Sequence, residues 1–433
     1  MRFPARVELL APAGNFEKLE TAVHFGADAV YLSGKDFSLR NFSGNFRLDE
    51  LEAAVAFGRQ HKVRIYVACN IYARNHEQSA LRDYLSRLAR IAPDAIIVAD
   101  PAIFLAAREL APHIPIHIST QANTTNYAAA KAWHRLGAER TIAARELSLP
   151  EIEVMAERGG IAVEAFVHGA MCISYSGRCL LSGYLAMRDS NRGHCAHPCR
   201  WQYALVEEKR PGQCLPIRED ERGTYLFNSR DLCMIAHIPA LVESGVCAFK
   251  IEGRMKGIHY VAATVKAYRE AIDAYYRNPD DYRLEEDWLN LLHSVNQRGY
   301  CTGFYFGDPR ELAPNLALTR AGYAHRLVGK ILGVPSPGRV TVGIRNRMAE
   351  GEVVEVLSPG RPVGRDVIAR MTDTDGRPLA VAHAGMRIHA DLQVSCGTND
   401  LLLRRSDFPA DQPRRHPSPP QAPPGGQDRE TGG

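Results

Sequence analysis

Val7-Glu8-Leu9-Leu10-Ala11-Pro12-Ala13-Gly14 contains the first apolar run of this chain, and it narrows the choice of fold. A continuous apolar run of this length is typical of a parallel strand that is covered on both faces. A dinucleotide-binding sheet would place Gly-x-Gly-x-x-Gly directly after its first strand. The turn Ala11-Pro12-Ala13-Gly14 does not have that pattern. The first strand therefore argues against a doubly wound open sheet.

Seven more apolar runs follow, and helical segments separate them. Amphipathic segments at residues 16–25, 49–61 and 79–91 have the spacing of surface helices. Strand–helix alternation of this kind predicts an α/β chain that folds as a (β/α)₈, TIM-like barrel. The eight predicted strands cover residues 7–13, 29–33, 64–70, 95–100, 115–121, 140–146, 162–168 and 248–252.

The domain organisation follows from what interrupts and follows these strands. About 80 residues separate the last two, far more than a usual βα connection. We predict a barrel domain over residues 1–322, with an insertion at about 170–247 and helices after residue 259. Short alternating runs and turn signals predict a small all-β domain, a compact barrel, over residues 323–404. Residues 405–433 hold seven prolines and four glycines, which predicts a disordered tail.

Composition excludes several classes of protein. The 433 residues are 45% hydrophobic and 24% charged, as in globular proteins that are soluble in water. A net charge of +4 argues against a polybasic nucleic-acid binder and leaves room for a local basic patch. No run reaches the ~18 apolar residues of a membrane span, and no signal-peptide core is visible. We therefore expect a cytoplasmic protein that makes no use of a membrane.

Polar residues end or follow most of the predicted strands. In (β/α)₈ barrels the chemistry lies at the C-terminal ends of the strands, on the loops that follow them. We expect these residues to meet at one rim. They are Asn70, Asp100, Gln121, Arg145, His168, Lys250, Glu252 and Arg254.

The predicted insertion carries an unusual group of thiols. Four cysteines fall within 28 residues: Cys172, Cys179, Cys195 and Cys199. Clustered cysteines in a cytoplasmic chain more often bind metal or do redox work than form disulfides. Only the Cys-x3-Cys pair resembles a zinc knuckle, and the ferredoxin spacings do not match. The spacing predicts a metal site and leaves zinc, with His194 or His197, and an iron–sulfur cluster open; Cys214 and Cys233 could replace one ligand.

The motif Glu164-Ala-Phe-Val-His168-Gly-Ala-Met-Cys172-Ile-Ser-Tyr-Ser-Gly177-Arg-Cys179-Leu-Leu-Ser182 resembles the signature of the U32 collagenase-like peptidase family. Other stretches resemble the same family over residues 8 to about 405. They include Gly26-Ala-Asp-Ala-Val-Tyr31, Ser119-Thr-Gln-Ala-Asn123, Cys195-x3-Cys199-Arg-Trp and Lys250-Ile-Glu-Gly-Arg254. Within the family, the chain is most similar to the branch that hydroxylates the tRNA wobble uridine.

The resemblance implies a cofactor, a co-substrate and a partner. Similar proteins carry a [4Fe-4S] cluster on four cysteines of this insertion, which favours Cys172, Cys179, Cys195 and Cys199 as ligands. Members of the tRNA branch make 5-hydroxyuridine without molecular oxygen and require prephenate. The resemblance therefore predicts an iron–sulfur enzyme that acts on the anticodon region of tRNA, and the small β domain could contact the anticodon arm.

Roles for the rim residues follow as hypotheses. Guanidinium and ammonium groups at Arg145, Lys250 and Arg254, with Arg178 nearby, suit a dicarboxylate such as prephenate. His168 is a candidate proton shuttle, and Glu252 completes the predicted catalytic set. A flipped base would stack on an aromatic side chain, for which Tyr175, Trp201 and Tyr203 are available.

Two other functions remain open. A hydroxylase of a small aromatic molecule, such as a ubiquinone precursor, is known within the same family. A collagenase-like peptidase is the other, although the chain has neither Gly-x-Ser-x-Gly nor His-Glu-x-x-His. A cysteine peptidase could use Cys172 with His168. However, a thiolate that binds iron is no longer a free nucleophile.

Overall fold

Parallel pairing in chain order shapes the first part of the protein. In the computed structural model, β1 (Glu8–Pro12) pairs with β2 (Ala29–Leu32), and each further strand joins its predecessor up to β7 (Ala162–Ala170). The eighth parallel strand is β11 (Ala248–Ile251). It pairs with both β7 and β1, which closes the barrel. The predicted (β/α)₈ fold is confirmed.

The structure describes residues 6–38, 44–172, 174–176, 178–200, 219–220, 223–224, 230–295, 299–307 and 325–405. The other strands before residue 302 are β3 (Arg64–Cys69), β4 (Ala95–Val98), β5 (Ile116–Ile118), β6 (Arg140–Ile142), β8 (Glu219–Asp220), β9 (Gly223–Thr224), β10 (Asp231–Cys233) and β12 (Tyr300–Cys301). The helices are α1 (Phe16–His24), α2 (Leu48–His61), α3 (Gln78–Ile91), α4 (Pro101–Leu110), α5 (Tyr127–Leu136), α6 (Leu149–Arg158), α7 (Leu181–Ala186), α8 (Ile238–Glu243), α9 (Ile258–Arg277) and α10 (Glu286–Ser294).

Local sequence explains where several of these elements begin. Strand β4 reads Ala-Ile-Ile-Val and is buried throughout, as a strand between the packed barrel interior and the outer ring of helices should be. Helix α4 begins at Pro101, and the Asp100 carboxylate before it accepts a hydrogen bond from the Ala102 amide at 2.7 Å. Ser148 and Glu151 form a capping box at the start of α6.

Two predicted strands are too long. The chain leaves the sheet at Ser119, whose hydroxyl caps a short 3₁₀ helix at Thr120–Ala122. It leaves β6 after Ile142. Gln121 and Arg145 therefore reach the barrel mouth from loops, which are free to turn their side chains over the opening.

The cysteine-bearing insertion lies between β7 and β11. Its strand β10 pairs antiparallel with the end of β7, and β12 lies parallel on the outer side of β10. Arg192 attaches the insertion to the barrel rim by donating at 3.0 Å to the Tyr72 carbonyl and at 3.0 Å to the Glu77 carboxylate. The cysteines are thus held over the C-terminal ends of the barrel strands.

An antiparallel sheet forms the C-terminal part. Its strands, with a small separate pair, are β13 (His325–Ser336), β14 (Arg339–Ile344), β15 (Met348–Ala349), β16 (Val353–Leu357), β17 (Gly364–Val367), β18 (Arg370–Thr372), β19 (Val381–Ala382), β20 (Arg387–Asp391) and β21 (Leu401–Arg405). The main sheet runs β17-β16-β21-β13-β14-β20-β18. The all-β character is confirmed. Among the described residues no pairing joins β17 to β18, so closure into a barrel stays a prediction.

Helix α1 connects the barrel to this sheet. His24 Nε2 lies 2.8 Å from Asp400 Oδ1, and Lys330 Nζ lies 3.1 Å from Glu20 Oε2. Leu401 of β21 is buried in the same apolar cluster as the barrel core. The two parts therefore share an interface that combines ion pairs with apolar packing.

Some predictions concern residues beyond the described part of the chain. Trp201, Tyr203, Cys214, the predicted boundary near residue 322 and the predicted tail after Arg405 lie outside it. In the described ranges, no helix combines the length and the apolar character that a bilayer crossing requires.

Candidate active site

A polar pocket opens at the C-terminal ends of the barrel strands. Its cavity volume is about 50 Å³. Four of the five predicted catalytic residues line it: Arg145, Lys250, Glu252 and Arg254. The other polar residues in its wall are Tyr31, Asn70, Ser119, Thr120 and Gln121.

Charged side chains fill the barrel beneath the pocket, where barrel interiors usually hold branched apolar ones. Arg140 Nη1 donates to Glu8 Oε1 at 2.7 Å and to Glu164 Oε2 at 3.0 Å. Lys250 Nζ donates to Glu164 Oε1 at 2.7 Å. Tyr66 donates its hydroxyl to Glu8 at 2.8 Å. All five residues are buried, and the more exposed Arg64 also pairs with Glu8, so three cations share two carboxylates in this ionic layer.

Lys250 forms the boundary between the ionic layer and the pocket. Its Nζ lies 4.4 Å from the centre of the Tyr31 ring and 5.6 Å from that of Phe166. Burial lowers the pKa of Lys250, while the neighbouring Glu164 carboxylate acts in the opposite direction. Because Glu164 neutralises the ammonium group, Lys250 adds little net charge to the pocket.

Arg145 offers hydrogen-bonding capacity to a ligand. Its guanidinium carbon lies 4.3 Å from the centre of the Phe166 ring, and its Nη1 donates to the Ala170 carbonyl at 3.2 Å. Its Nε is buried and has no hydrogen-bond partner among the described residues. A buried donor without a partner costs free energy, and a carboxylate in the pocket would remove that cost.

Glu252 and Arg254 come from the turn after β11. Arg254 is buried and donates to Ser38 Oγ at 3.1 Å. Glu252 Oε2 lies 3.5 Å from the Tyr31 hydroxyl. Gly169 permits this arrangement: its φ is +107°, and a Cβ there would stand 2.5 Å from the Glu252 carbonyl oxygen. Only glycine allows β7 to pass so close to the end of β11.

The pocket therefore favours a small anion. Once Lys250 is paired with Glu164, two guanidinium groups face one carboxylate, which leaves an excess of positive charge. Gln121 Oε1 is buried and has no hydrogen-bond partner among the described residues, so it can accept a bond from a ligand hydroxyl. Asp100, by contrast, is structural, because its carboxylate holds the Ala102 and Ala73 amides at 2.7 and 2.9 Å.

His168 does not line this pocket. Its ring packs among tyrosines, with centroids 5.3 Å from Tyr300, 5.5 Å from Tyr268 and 5.9 Å from Tyr260. Its Nδ1 lies 3.4 Å from the Tyr268 hydroxyl. Burial lowers the pKa of His168 to about 3. The imidazole is therefore neutral near pH 7, which gives a proton-shuttle role no support.

The surroundings of His168 also decide whether Cys172 and His168 could form a cysteine-peptidase site. A catalytic dyad needs the imidazole within hydrogen-bond reach of the thiol. His168 Nε2 has no such partner among the described residues, and Nδ1 faces Tyr268. Cys172 is exposed, whereas His168 is buried. The described geometry does not assemble a Cys172–His168 dyad.

Hydrogen bonds from neighbouring groups contact two cysteines of the insertion, Cys179 and Cys195. The Cys179 carbonyl accepts bonds from Ser190 Oγ at 2.6 Å and from Asn191 Nδ2 at 3.0 Å. The His197 amide donates to Cys195 Sγ at 3.4 Å. Amide donors of this kind stabilise thiolate ligands and tune the potential of iron–sulfur clusters.

The cysteine and histidine side chains of the insertion can be compared with the ligands that a zinc ion and an iron–sulfur cluster require. In the part of the chain that the structure describes, no three His, Cys, Asp or Glu side chains converge on a single ion, as a zinc site requires. A [4Fe-4S] cluster also needs its four thiolates to converge, each on a different iron of one cluster, so this observation does not separate the two. The chemistry of Cys172, Cys179, Cys195 and Cys199 fits such a cluster, and its presence stays a prediction. Burial raises the pKa of Cys233, which favours its thiol over the thiolate that would bind iron.

Sequence reasoning missed several residues of this site. Glu8 and Arg140 form the ionic layer, and Tyr31 and Phe166 form the walls of the pocket. A signal for the first two was present. A carboxylate or guanidinium group inside an apolar parallel strand has to be buried, and a buried charge needs a partner.

Comparison with known proteins gives close relatives over most of the chain. The tRNA hydroxylation protein P1 of Bacillus subtilis (strain 168) is 39% identical over 382 residues, which cover 88% of this chain and 90% of that protein. The tRNA hydroxylation protein P of Escherichia coli (strain K12) is 35% identical over 445 residues, covering 92% and 96%. A collagenase of Porphyromonas gingivalis is 32% identical over 313 residues, covering 70% and 74%.

Family models cover both parts of the chain. The model of peptidase family U32 matches residues 14–314, and that of the U32 C-terminal domain matches residues 324–403. The first match alone covers more than half of the sequence and includes the pocket and the four cysteines. The chain therefore belongs to peptidase family U32.

Proposed function

We propose that this protein is a tRNA-modifying enzyme that converts the wobble uridine to 5-hydroxyuridine, with an iron–sulfur cluster and prephenate. The observation that carries the proposal is a cationic pocket at the barrel mouth, next to a four-cysteine insertion. Relatives named as tRNA hydroxylation proteins match this chain over about nine-tenths of its length, which supports tRNA as the substrate.

The side chains around the pocket suit the chemical groups of prephenate, a dicarboxylate with a ring hydroxyl. Arg145 and Arg254 each offer a guanidinium group to a carboxylate. Gln121 Oε1 accepts the hydroxyl, and the face of Phe166 covers apolar ring carbons. Lys250, held by Glu164, forms the floor of the pocket.

The insertion would hold the cofactor. Cys172, Cys179, Cys195 and Cys199 would bind a [4Fe-4S] cluster, which supplies one-electron transfer at the mouth of the barrel. Arg192 keeps the insertion on the rim through Glu77 and the Tyr72 carbonyl. The C-terminal sheet is a candidate contact for the anticodon arm, by analogy with other small β domains.

Two alternatives belong to the same family. A peptidase is supported by the collagenase relative. The buried, neutral His168 argues against a cysteine dyad. A hydroxylase of a small aromatic molecule would use the same pocket and cluster, so only the substrate distinguishes it.

The first experiment removes the gene and measures modified nucleosides in tRNA by mass spectrometry. We expect 5-hydroxyuridine and nucleosides derived from it to disappear and to return with the wild-type gene. Arg145→Gln and Cys179→Ala should fail to restore them, whereas Cys396→Ala, in the C-terminal sheet, should succeed. Unchanged tRNA would overturn the proposal, and an altered aromatic metabolite or loss of gelatin cleavage would identify the alternative.

The second experiment tests the cofactor and the co-substrate. Protein purified without air should contain about four irons and four sulfides per chain. Cys179→Ala should lose them, and Cys396→Ala should keep them. Arg145→Gln should weaken prephenate binding about 10- to 100-fold, because it removes a charge-assisted hydrogen bond. A colourless protein with about one zinc ion would contradict the cluster.

A further inference from the structure

A second, shallower depression lies beside the deep pocket. It is an open groove of about 670 Å³ between the barrel rim and the insertion. Asn123 and Thr125 form the rim side, and Ser174, Tyr175 and Arg178 form the insertion side. We call these five residues the rim groove. None of these five residues belongs to the proposed prephenate site.

The rim groove adjoins the deep pocket through one loop. Ser119, Thr120 and Gln121 line the deep pocket, while Asn123 and Thr125, a few residues later, line the groove. Asn123 Oδ1 is buried and has no hydrogen-bond partner among the described residues. One part of this loop thus offers a hydrogen-bond acceptor to the rim groove. The preceding part forms a wall of the deep pocket.

The insertion presents an aromatic ring and a cation together. The Arg178 amide donates to the Tyr175 carbonyl at 3.1 Å, a turn that keeps the two side chains close to each other. Tyr175 is 52% exposed although it is a large aromatic residue. Arg178 is also exposed, and its charge reaches the hydroxyl of Tyr72 on the facing rim.

Helix α7, which follows in the chain, and the residues at its two ends also expose large apolar side chains. Tyr184 is 82% exposed, Met187 90% and Leu180 65%. Residues 171–200 contain four arginines and one aspartate, with neither lysine nor glutamate. Exposed apolar groups in a strongly positive segment fit a partner that is flat, apolar on its faces and negatively charged along its backbone. Unpaired nucleotides have these properties.

We propose that the rim groove binds an unpaired nucleotide of an RNA loop, with the base stacked on Tyr175 and a phosphate at Arg178, and that Tyr184 stacks the next base. The proposal rests on the proposed function, which makes tRNA the substrate, and it adds where the RNA is held. It also assigns two compartments: the small anion lies in the deep pocket and the nucleotide lies in the groove beside it.

The test measures the affinity of the full-length, cluster-loaded chain for a fluorescent anticodon stem-loop by anisotropy. Tyr175→Ala and Tyr184→Ala should each weaken binding about 5- to 100-fold, as expected for loss of one stacked base. Tyr175→Phe keeps the ring and should bind within about twofold of the wild type. Arg178→Gln should lower the slope of log affinity against log salt by about one. Leu105→Ala, on the exposed outer face of α4, is the matched control and should have no effect.

Two further measurements distinguish a failure of the rim groove proposal from a failure of the proposed function. Iron content and prephenate binding should be unchanged in Tyr184→Ala, and Arg145→Gln should bind the stem-loop normally while losing prephenate. If the wild type binds the stem-loop and both tyrosine variants bind it equally well, the groove assignment is wrong and the proposed function stands. If the wild type binds no RNA, both are overturned.

Discussion

Glu164 is the residue on which the ionic layer depends. Its carboxylate receives Lys250 on one oxygen and Arg140 on the other, and it is fully buried. Removing one member of a buried ion pair leaves an uncompensated charge, which typically costs 3–5 kcal/mol. The neutral amide of glutamine has nearly the same shape, so the substitution isolates the effect of charge.

We therefore expect Glu164→Gln to lower the free energy of unfolding by about 3–5 kcal/mol, measured by urea denaturation. Lys250→Met in the same chain should recover part of this loss, because the ammonium group is then gone. Glu109→Gln removes the carboxylate of an exposed ion pair with Arg82 and should leave stability nearly unchanged. If the effects of Glu164→Gln and Lys250→Met on the free energy of unfolding were additive, the two residues would not be energetically coupled.

The part of the site that could be predicted from the sequence is the set of polar residues at the ends of the strands. Arg145, Lys250, Glu252 and Arg254 were predicted from their positions after apolar runs, and all four line one pocket. His168 has the same kind of position, yet its side chain turns to the tyrosines on the other side of β7. Which face a strand-end residue uses depends on strand tilt and on neighbouring elements, which a single sequence does not reveal.

Among the elements, the insertion is attached to the barrel in part by a contact that sequence could not show. The Arg192 side chain pairs with Glu77 and the Tyr72 carbonyl, 115 and 120 residues away in the chain. The strands β10 and β12 were missed for a similar reason, since two or three residues carry no periodicity. Long strands and amphipathic helices such as β3 and α3 were predicted because their apolar pattern repeats several times.

We expect Arg192→Ala to loosen the insertion without unfolding the barrel. Loss of partly buried, charge-assisted hydrogen bonds worth about 1 kcal/mol should raise the population of the detached insertion about fivefold. Limited proteolysis within residues 171–247 should accelerate accordingly, with an unchanged melting temperature of the barrel. Arg82→Ala, which breaks the exposed pair with Glu109, should leave proteolysis unchanged.

The same contact should respond to acid. The hydrogen bond from Arg192 lowers the pKa of Glu77 to about 2. A carboxylate with a lowered pKa stabilises the folded contact above its ordinary pKa and loses that contribution as the pH falls through the lowered value. Wild-type proteolysis should therefore rise between about pH 4 and pH 2, while Arg192→Ala should already be fast at pH 7. Equal rates at pH 7 would contradict the anchor.

At the scale of the whole molecule, Asp400 connects the C-terminal sheet to the barrel. It accepts bonds from His24 Nε2 at 2.8 Å, from Ser358 Oγ at 2.5 Å and from the Gly397 amide at 2.7 Å. Burial alone would raise the pKa of this carboxyl group, but the bonds from His24 and Ser358 outweigh it and lower the pKa. The interface is thus stabilised by an ionised Asp400.

We expect Asp400→Asn to lower the free energy of unfolding at pH 7 by about 1–3 kcal/mol and to make the barrel and the C-terminal sheet unfold in two thermal transitions. Because the folded pKa is lowered, the wild type should lose this advantage as the pH falls below about 4, and the two proteins should converge. Calorimetry at pH 7 and pH 3 measures both effects. Asp391→Asn, which alters a half-exposed pair inside the sheet, should not separate the transitions.

The order in which the barrel strands occur along the chain has a consequence for biosynthesis. Strand β11 closes the barrel, yet about 80 residues separate it from β7. At ~5–20 residues per second, a ribosome needs about 4–16 s to make that segment. During this time β1 and β7 have no partner across the seam, and unpaired strand edges of this kind recruit other chains. The nascent protein therefore passes through an open-barrel stage in which all four cysteines of the insertion have already been synthesised.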